Sequence, residues 1–126
     1  MERNTSQRRA IQRVLQESAR PMGPREILEA ARRHIPGIGI ATVYRTLKRA
    51  VEEGSLAQVD LPGEPPRYEM SGRNHHPYFR CRSCNRVFGA RTGPKVPANL
   101  VPPGFQVEGH ALYLYGLCSD CVPAAN

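Results

Sequence analysis

The four cysteines of this sequence are the residues with the clearest capacity for chemistry. They form two Cys-x-x-Cys pairs, Cys81 with Cys84 and Cys118 with Cys121, and 33 residues separate the pairs. A Cys-x-x-Cys turn presents two thiolates to one tetrahedral ion at about 2.3 Å, and two such turns complete a zinc site with no open ligand position. Such an ion stabilises a fold and does not activate water. The pattern therefore predicts a structural zinc ion.

Other roles for these cysteines find less support in the sequence. A thioredoxin-like redox pair needs a βαβ context, which the surrounding residues do not indicate. Two disulfides need an oxidising compartment. The N-terminus has no signal-peptide apolar core, and no apolar run approaches the roughly 18 residues of a transmembrane helix. We therefore expect a cytoplasmic protein that has reduced thiols and makes no membrane contact.

The charge of the chain points to polyanionic partners. Its 126 residues include 18 Lys+Arg and 11 Asp+Glu, a formal net charge of +7, with a pI of about 9.7. Residues 1–50 hold eleven basic and four acidic side chains, whereas residues 51–66 hold four acids and no base. Such a balance is typical of nucleic-acid-binding proteins, but it also suits an anionic membrane surface or an acidic protein.

Periodic apolar residues predict the elements that must position these groups. Helices are expected from Ser6 to Ser18, from Pro24 to about His34 and from Ala41 to Glu53, followed by a hairpin of strands within 55–61 and 67–70. Three helices and a hairpin are the layout of a winged helix-turn-helix, in which the start of the third helix meets base edges and phosphates.

The second half has the pattern of short strands around the cysteine pairs. Strands are expected at Tyr78–Cys81, Val87–Gly89, Phe105–Val107 and 111–115, with one short helix near 98–101. We therefore predict an α+β protein with a winged-helix DNA-binding domain at 1–70 and a zinc-stapled domain at 71–126.

The third predicted helix carries the most specific stretch of the first half, Ala41-Thr42-Val43-Tyr44-Arg45. This stretch resembles the recognition helix of the ferric uptake regulator family of metal-responsive repressors. The resemblance continues in chain order at Thr5-x-x-Arg8, Tyr68-Glu69, His75-His76 and His110-x-Leu112-Tyr113-Leu114-Tyr115-Gly116-x-Cys118. The resemblance covers nearly the whole chain. It includes two unrelated motifs, the recognition helix and the cysteine pairs, in the order that the family has them.

The resemblance implies a repressor that binds a palindromic operator as a homodimer. The second domain would then be a small α/β dimerisation domain, with strands from Phe105 to Tyr115 in the dimer sheet and Leu112 and Leu114 in its interface or core. By position, Tyr44 would contact bases, Arg45 a phosphate, and Arg3, just ahead of the first helix, the minor groove. Thr42 and Arg8 complete the expected DNA-contacting set.

The resemblance also implies a regulatory metal near the hinge between the domains. His75 and His110 match one metal site of the family, and Glu69 and His76 match the other. Several further ligand positions of the family are occupied by non-ligating residues, namely Pro77, Tyr78, Gly89 and either Pro21 or Met22. Two interpretations follow: a second divalent metal (zinc, iron, manganese or nickel) at this site, or a regulator that has structural zinc alone.

Three other classes of function are weighed against this one. An enzyme is disfavoured because the sequence has no Ser/His/Asp set, no phosphate-binding glycine loop and no paired carboxylates beyond Glu52-Glu53. We therefore expect no catalysis and no small organic substrate. A regulator that is metal-independent, or that responds to oxidation of the four thiolates, is a second alternative. A zinc-ribbon protein-interaction module is the third.

Overall fold

The computed structural model describes residues 2–72, 77–89, 98–109 and 113–123. The elements run in the order α1 (Glu2–Glu17), α2 (Pro24–Ala31), α3 (Ile40–Glu53), β1 (Leu56–Val59), β2 (Arg67–Met70), β3 (Tyr78–Cys81), β4 (Val87–Gly89), a 3₁₀ turn (Ala98–Leu100) and β5 (Tyr113–Gly116). The chain forms two compact units, Met1–Asn74 and His75–Asn126. The predicted α+β class, with a winged helix first, is confirmed. Among the described residues, no helix has both the length and the apolar character needed to span a bilayer.

The first unit is built around the apolar faces of its three helices. Apolar residues recur three and four positions apart in each helix, so each helix has one stripe that must leave water. The largest fully buried side chains of the helices are Ile11 and Leu15 of α1, Ile27 of α2 and Val43 and Leu47 of α3. They belong to one core cluster, which Leu56 of β1 and Tyr68 of β2 also join. This core fixes which face of α3 remains exposed.

The β1–β2 hairpin completes the first unit as its wing. The strands pair antiparallel, with Leu56 opposite Met70 and Val59 opposite Arg67. Met22 exchanges two backbone hydrogen bonds with Tyr68, of 3.0 and 2.8 Å, which attaches the loop before α2 to the hairpin. The wing is therefore held both by its own ladder and by the helical core.

Glycine 54 ends α3 in the left-handed conformation, with φ of 84°. Its backbone N–H and that of Ser55 bond to carbonyls of the last helical turn. We expect Gly54→Ala to lower the free energy of unfolding by about 1 kcal/mol, because an L side chain strains this backbone although no atom obstructs a Cβ there. Urea denaturation measures the loss. Gly37→Ala is the matched control, since its Cβ also meets open space without a positive φ; equal losses in both variants would contradict the prediction.

The second unit contains a three-stranded sheet in the order β4-β3-β5. β3 pairs antiparallel with β4 and parallel with β5, and Cys81 lies opposite Gly116 in the parallel register. Gly116 is close to Phe79, where a Cβ would lie 3.3 Å from the ring. A small residue therefore suits the point where β5 ends.

The predicted start of α1 and the predicted end of α2 differ from the structure. α1 begins at Glu2, so Arg3 lies within the helix and not ahead of it. The first turn is polar and carries no apolar period, which is the signal that would mark a start. α2 ends at Ala31, since the N–H groups of Arg33 and His34 bond three residues back instead of four.

The strand predicted at Phe105–Val107 is wrong. These residues form no strand, and Phe105 and Val107 are 71% and 48% exposed. Alternation shows that a segment suits a strand, but a strand forms only where a neighbouring strand accepts its hydrogen bonds. The strand predicted at 111–115 is present as Tyr113–Gly116, and residues 111 and 112 lie outside the described residues, as does Leu112 with its predicted interface role.

Candidate metal centre and nucleic-acid interface

The parallel pairing of β3 and β5 brings the two cysteine pairs together. β3 ends at Cys81, and β5 ends at Gly116, two residues before Cys118. β3 and β5 run in the same direction, with Cys81 opposite Gly116. Both turns therefore follow the carboxyl ends of their strands at the same end of the sheet. The Arg82 N–H donates to the Gly116 carbonyl at 2.8 Å and fixes the first turn beside the end of β5.

Local backbone geometry shapes each turn into a metal-binding knuckle. In the first knuckle the Asn85 N–H donates to the Cys81 carbonyl at 2.8 Å, and Asn85 adopts a left-handed φ of 62°. The Cys84 N–H points at the Cys81 sulfur at 3.5 Å. In the second knuckle the Cys121 N–H donates to the Cys118 carbonyl at 2.9 Å. Both turns thus place two sulfurs on the same side of a short loop.

The positions of the four sulfurs fit a zinc ion. The ligand atoms of Cys81, Cys84, Cys118 and Cys121 all lie within 4.8 Å of one another. The Cys84 and Cys118 sulfurs are 3.8 Å apart, and all four cysteines are free thiols. A tetrahedral ion with four bonds of about 2.3 Å has sulfur–sulfur edges of about 3.8 Å. The cluster can therefore hold a zinc ion.

Hydrogen bonds lower the pKa of both cysteines of the first knuckle. The pKa of Cys81 is lowered to about 5, chiefly by the backbone N–H of Cys84 and also by those of Cys118 and Ser83. The pKa of Cys84 is lowered by the backbone and the guanidinium of Arg86. Both shifts favour the thiolate, which is the form that binds metal.

In the second knuckle, the protonated form of Cys121 is favoured over its thiolate. Hydrogen bonds with the Cys118 and Cys81 sulfurs raise the pKa of Cys121 to about 12. Four adjacent thiolates repel one another, so the cluster retains protons until a divalent cation displaces them. The four thiol ligands and the positions of their sulfurs therefore both indicate a closed metal site.

α3 has one exposed face, which runs from its first turn past the middle of the helix. Val43, Leu47 and Ala50 are buried, and the opposite stripe is exposed. We call this stripe the α3 face, and its members are Ala41, Tyr44, Arg45 and Lys48. They stand at helical spacing i, i+3, i+4 and i+7, so they form a single row. Such a helix face, with one aromatic ring and two cations, suits the major groove of DNA.

Of the predicted DNA-contacting residues, Thr42, Tyr44 and Arg45 lie together in α3. Tyr44 is 52% exposed, and the Arg45 guanidinium donates to the Thr42 hydroxyl at 3.2 Å, which orients it along the helix. Arg8 instead forms an ion pair with Glu53 at the far end of α3. Lys48, which is outside the predicted set, is also exposed on α3, four residues after Tyr44.

The candidate regulatory ligands are only partly described. Glu69 lies in β2 and is 2% exposed. His75, His76 and His110 lie outside the described residues. Pro77 and Tyr78, at positions where the resemblance implied metal ligands, are both buried, and Tyr78 begins β3.

A family profile and curated relatives match this chain over most of its length. The profile of the Ferric uptake regulator family matches residues 2–115. The Ferric uptake regulation protein of Campylobacter upsaliensis is 30% identical over 124 residues, covering 93% of this chain and 78% of that protein. Its counterpart in Neisseria meningitidis serogroup A is 33% identical over 88 residues, covering 67% and 60%.

Solved structures show the same fold. A zinc-bound manganese uptake regulator superposes with a TM-score of 0.73 at 28% identity, covering 89% of this chain and 87% of that one. The Helicobacter pylori ferric uptake regulator gives 0.66 at 20% identity, covering 95% and 82%, a likeness of fold. The winged helix, the cysteine knuckles and the extent of these matches lead to one conclusion: the chain belongs to the ferric uptake regulator family, whose members are metal-responsive, DNA-binding transcription regulators.

Proposed function

We propose that this protein is a transcriptional repressor that binds a palindromic operator as a homodimer and holds a structural zinc ion in each chain. The observation that carries the proposal is the α3 face, where Tyr44, Arg45 and Lys48 stand exposed on a helix whose other face is buried. A helix anchored in this way is a rigid element that enters the major groove with its side chains already aligned.

The charge of residues 1–50 supports duplex DNA as the partner. Residues 1–50 carry a net charge of +7, which equals the formal net charge of the whole chain. Several of these cations are exposed, including Arg49 of α3 and Arg32 and Arg33 after α2. Contacts to phosphates supply affinity and register, and the side chains on the α3 face supply sequence preference.

Four thiolates, those of Cys81, Cys84, Cys118 and Cys121, would hold the zinc ion. The ion supplies the positive charge that keeps all four sulfurs ionised and crosslinks two turns that are distant in sequence. The 28% identical manganese uptake regulator of the same fold is zinc-bound, which agrees with this assignment.

A free sheet edge supports dimer formation. In the described part of the second sheet, β5 is hydrogen-bonded to β3 alone. Its side chains Leu114 and Tyr115 are 38% and 68% exposed, and Phe105 is 71% exposed. An unpaired edge can pair with a strand of another chain, and exposed apolar patches often mark protein interfaces. A second copy of the chain is the partner that a palindromic operator requires.

A second divalent metal (zinc, iron, manganese or nickel) is the proposed signal. Its candidate ligands are Glu69, His75, His76 and His110. Metal titration of zinc-loaded protein, followed by elemental analysis after gel filtration, tests this part. Two metals per chain, with the second removed by a mild chelator at the cost of DNA affinity, are expected; one metal per chain at every concentration would reject metal sensing.

Selection from randomised duplexes tests the central proposal. The protein is expected to enrich a palindrome, and fluorescence anisotropy then gives its affinity for that palindrome and for a scrambled duplex. Tyr44→Ala is expected to lose about 1–3 kcal/mol of preference between the two duplexes, because the lost contact is to base edges. Arg45→Ala should weaken both complexes alike, since it removes a phosphate contact.

Arg82→Ala is the matched control for the DNA variants. It removes the same charge as Arg45→Ala, but from an exposed side chain of the second unit. Wild-type affinity is expected for this control. If Tyr44→Ala and Arg45→Ala bind both duplexes as the control does, α3 is not the recognition helix.

A further inference from the structure

The Arg86 side chain contacts both cysteine knuckles. Its Nε donates to the Cys84 sulfur at 3.1 Å, and a terminal nitrogen lies 3.3 Å from a carboxylate oxygen of Asp120. Asp120 is in the second knuckle, between Cys118 and Cys121. One guanidinium thus joins two turns that lie 34 residues apart in sequence.

The rest of the residue is fixed as well. The Arg86 carbonyl accepts a hydrogen bond from the Cys81 N–H at 3.0 Å, so its backbone belongs to the first knuckle. The guanidinium carbon lies 5.9 Å from the centre of the Phe88 ring, within the range of a cation–π contact. The side chain is 33% exposed, whereas that of Asp120 is 73% exposed. The guanidinium is therefore held against the sulfur and not free in solvent.

We propose that Arg86 is a positioning residue of the metal centre, which clamps the two knuckles together and shields the Cys84 sulfur from exchange and chemical attack. The inference rests on the proposed zinc site. Four thiolates on one zinc ion carry a net charge of −2, and a cation hydrogen-bonded to one of them withdraws electron density from that sulfur. A less basic sulfur reacts more slowly with electrophiles, and a bridged pair of turns opens less often.

The sulfur contact is expected to matter more than the ion pair. An ion pair to an acid as exposed as Asp120 contributes little by itself. The planar fork of the guanidinium directs separate N–H groups at the sulfur and the carboxylate, which one lysine ammonium cannot reproduce. The size of the effect is therefore expected to follow the order Arg86→Met, then Arg86→Lys, then Asp120→Asn.

Two rates measured on the full-length, zinc-loaded protein test the proposal. The first is release of zinc to the chromogenic chelator 4-(2-pyridylazo)resorcinol. The second is alkylation by iodoacetamide, in which the sulfur–carbon bond forms as iodide leaves, with each modified cysteine located by mass spectrometry. Arg86→Met is expected to release zinc about 10-fold faster, in line with the loss of metal affinity of about 10–100-fold that follows removal of a partner of a metal ligand, and to be alkylated first at Cys84.

Arg82→Met is the matched control. It makes the same change of side chain in the same knuckle, at an exposed residue for which the described part of the chain provides no side-chain partner. Wild-type rates are expected for it. If Arg86→Met and Arg82→Met both keep wild-type rates, the proposal is overturned.

Further outcomes separate this inference from the zinc site itself. A wild-type protein that is purified without chelator and contains no zinc would reject the zinc site and this inference together. A zinc-loaded wild type with unaffected Arg86 variants would reject this inference alone. Circular dichroism verifies folding; if Arg86→Met does not fold, Arg86→Lys takes its place, and wild-type rates in that variant would overturn the proposal.

Discussion

Cys81→Ser is expected to abolish zinc binding and to unfold the second unit. The described part of this unit buries few apolar side chains, among them Tyr78, Val87 and Cys118. Units of this size seldom fold on a hydrophobic core alone. A structural zinc ion contributes an apparent free energy of about 10–16 kcal/mol, comparable to or above the whole stability of a typical domain. Loss of one ligand therefore removes most of what holds this unit together.

Elemental analysis and amide hydrogen exchange measure the effect of Cys81→Ser. Wild-type protein should hold one structural zinc per chain, and the variant should hold none and lose exchange protection in β3 and β4. Ser119→Ala, an exposed change inside the second knuckle, should keep both zinc and protection. A Cys81→Ser variant that retains a protected sheet would show that metal is not the main stabiliser.

Leu47→Ala is expected to lower the free energy of unfolding of the first unit by about 2–5 kcal/mol. Leu47 is fully buried in the core cluster, one turn after Val43 on the inner face of α3. Truncation leaves a cavity beneath the helix that carries the α3 face, so the helix loses the support that holds its exposed side chains in line. DNA affinity should fall with stability.

Chemical denaturation followed by circular dichroism measures this loss. Arg49→Ala is the control for Leu47→Ala, because Arg49 lies two residues further along α3 and is exposed. It should alter stability by no more than about 0.5 kcal/mol. Similar losses in the two variants would mean that the buried and exposed faces of α3 are wrongly assigned.

The parts of the fold that depend on local patterns were predictable from the sequence. Apolar residues at helical spacing identified the inner face of α3, and Gly54 marked its end. The two Cys-x-x-Cys pairs predicted a cluster that the structure does contain. The helical period and each Cys-x-x-Cys turn are local properties, and two such turns complete one zinc site although 33 residues separate them.

The parts that depend on distant partners were not predictable. Phe105 and Val107 alternate as a strand would, but alternation does not supply a neighbouring strand. Arg8 was expected to contact DNA, and its ion-pair partner Glu53 lies 45 residues away in the sequence. The contact of Arg86 with Asp120 likewise has no sequence signature, because it arises from the parallel pairing of β3 with β5.

The most direct test of DNA recognition through α3 is the affinity for the selected palindrome and for a scrambled duplex, measured by fluorescence anisotropy as salt is raised. The affinity for both duplexes is predicted to fall by about a thousandfold or more between about 50 and about 200 mM salt, as phosphate contacts are screened. A preference for the palindrome of about a thousandfold or more should persist across the series. Equal affinity for the two duplexes at every salt concentration would contradict the account.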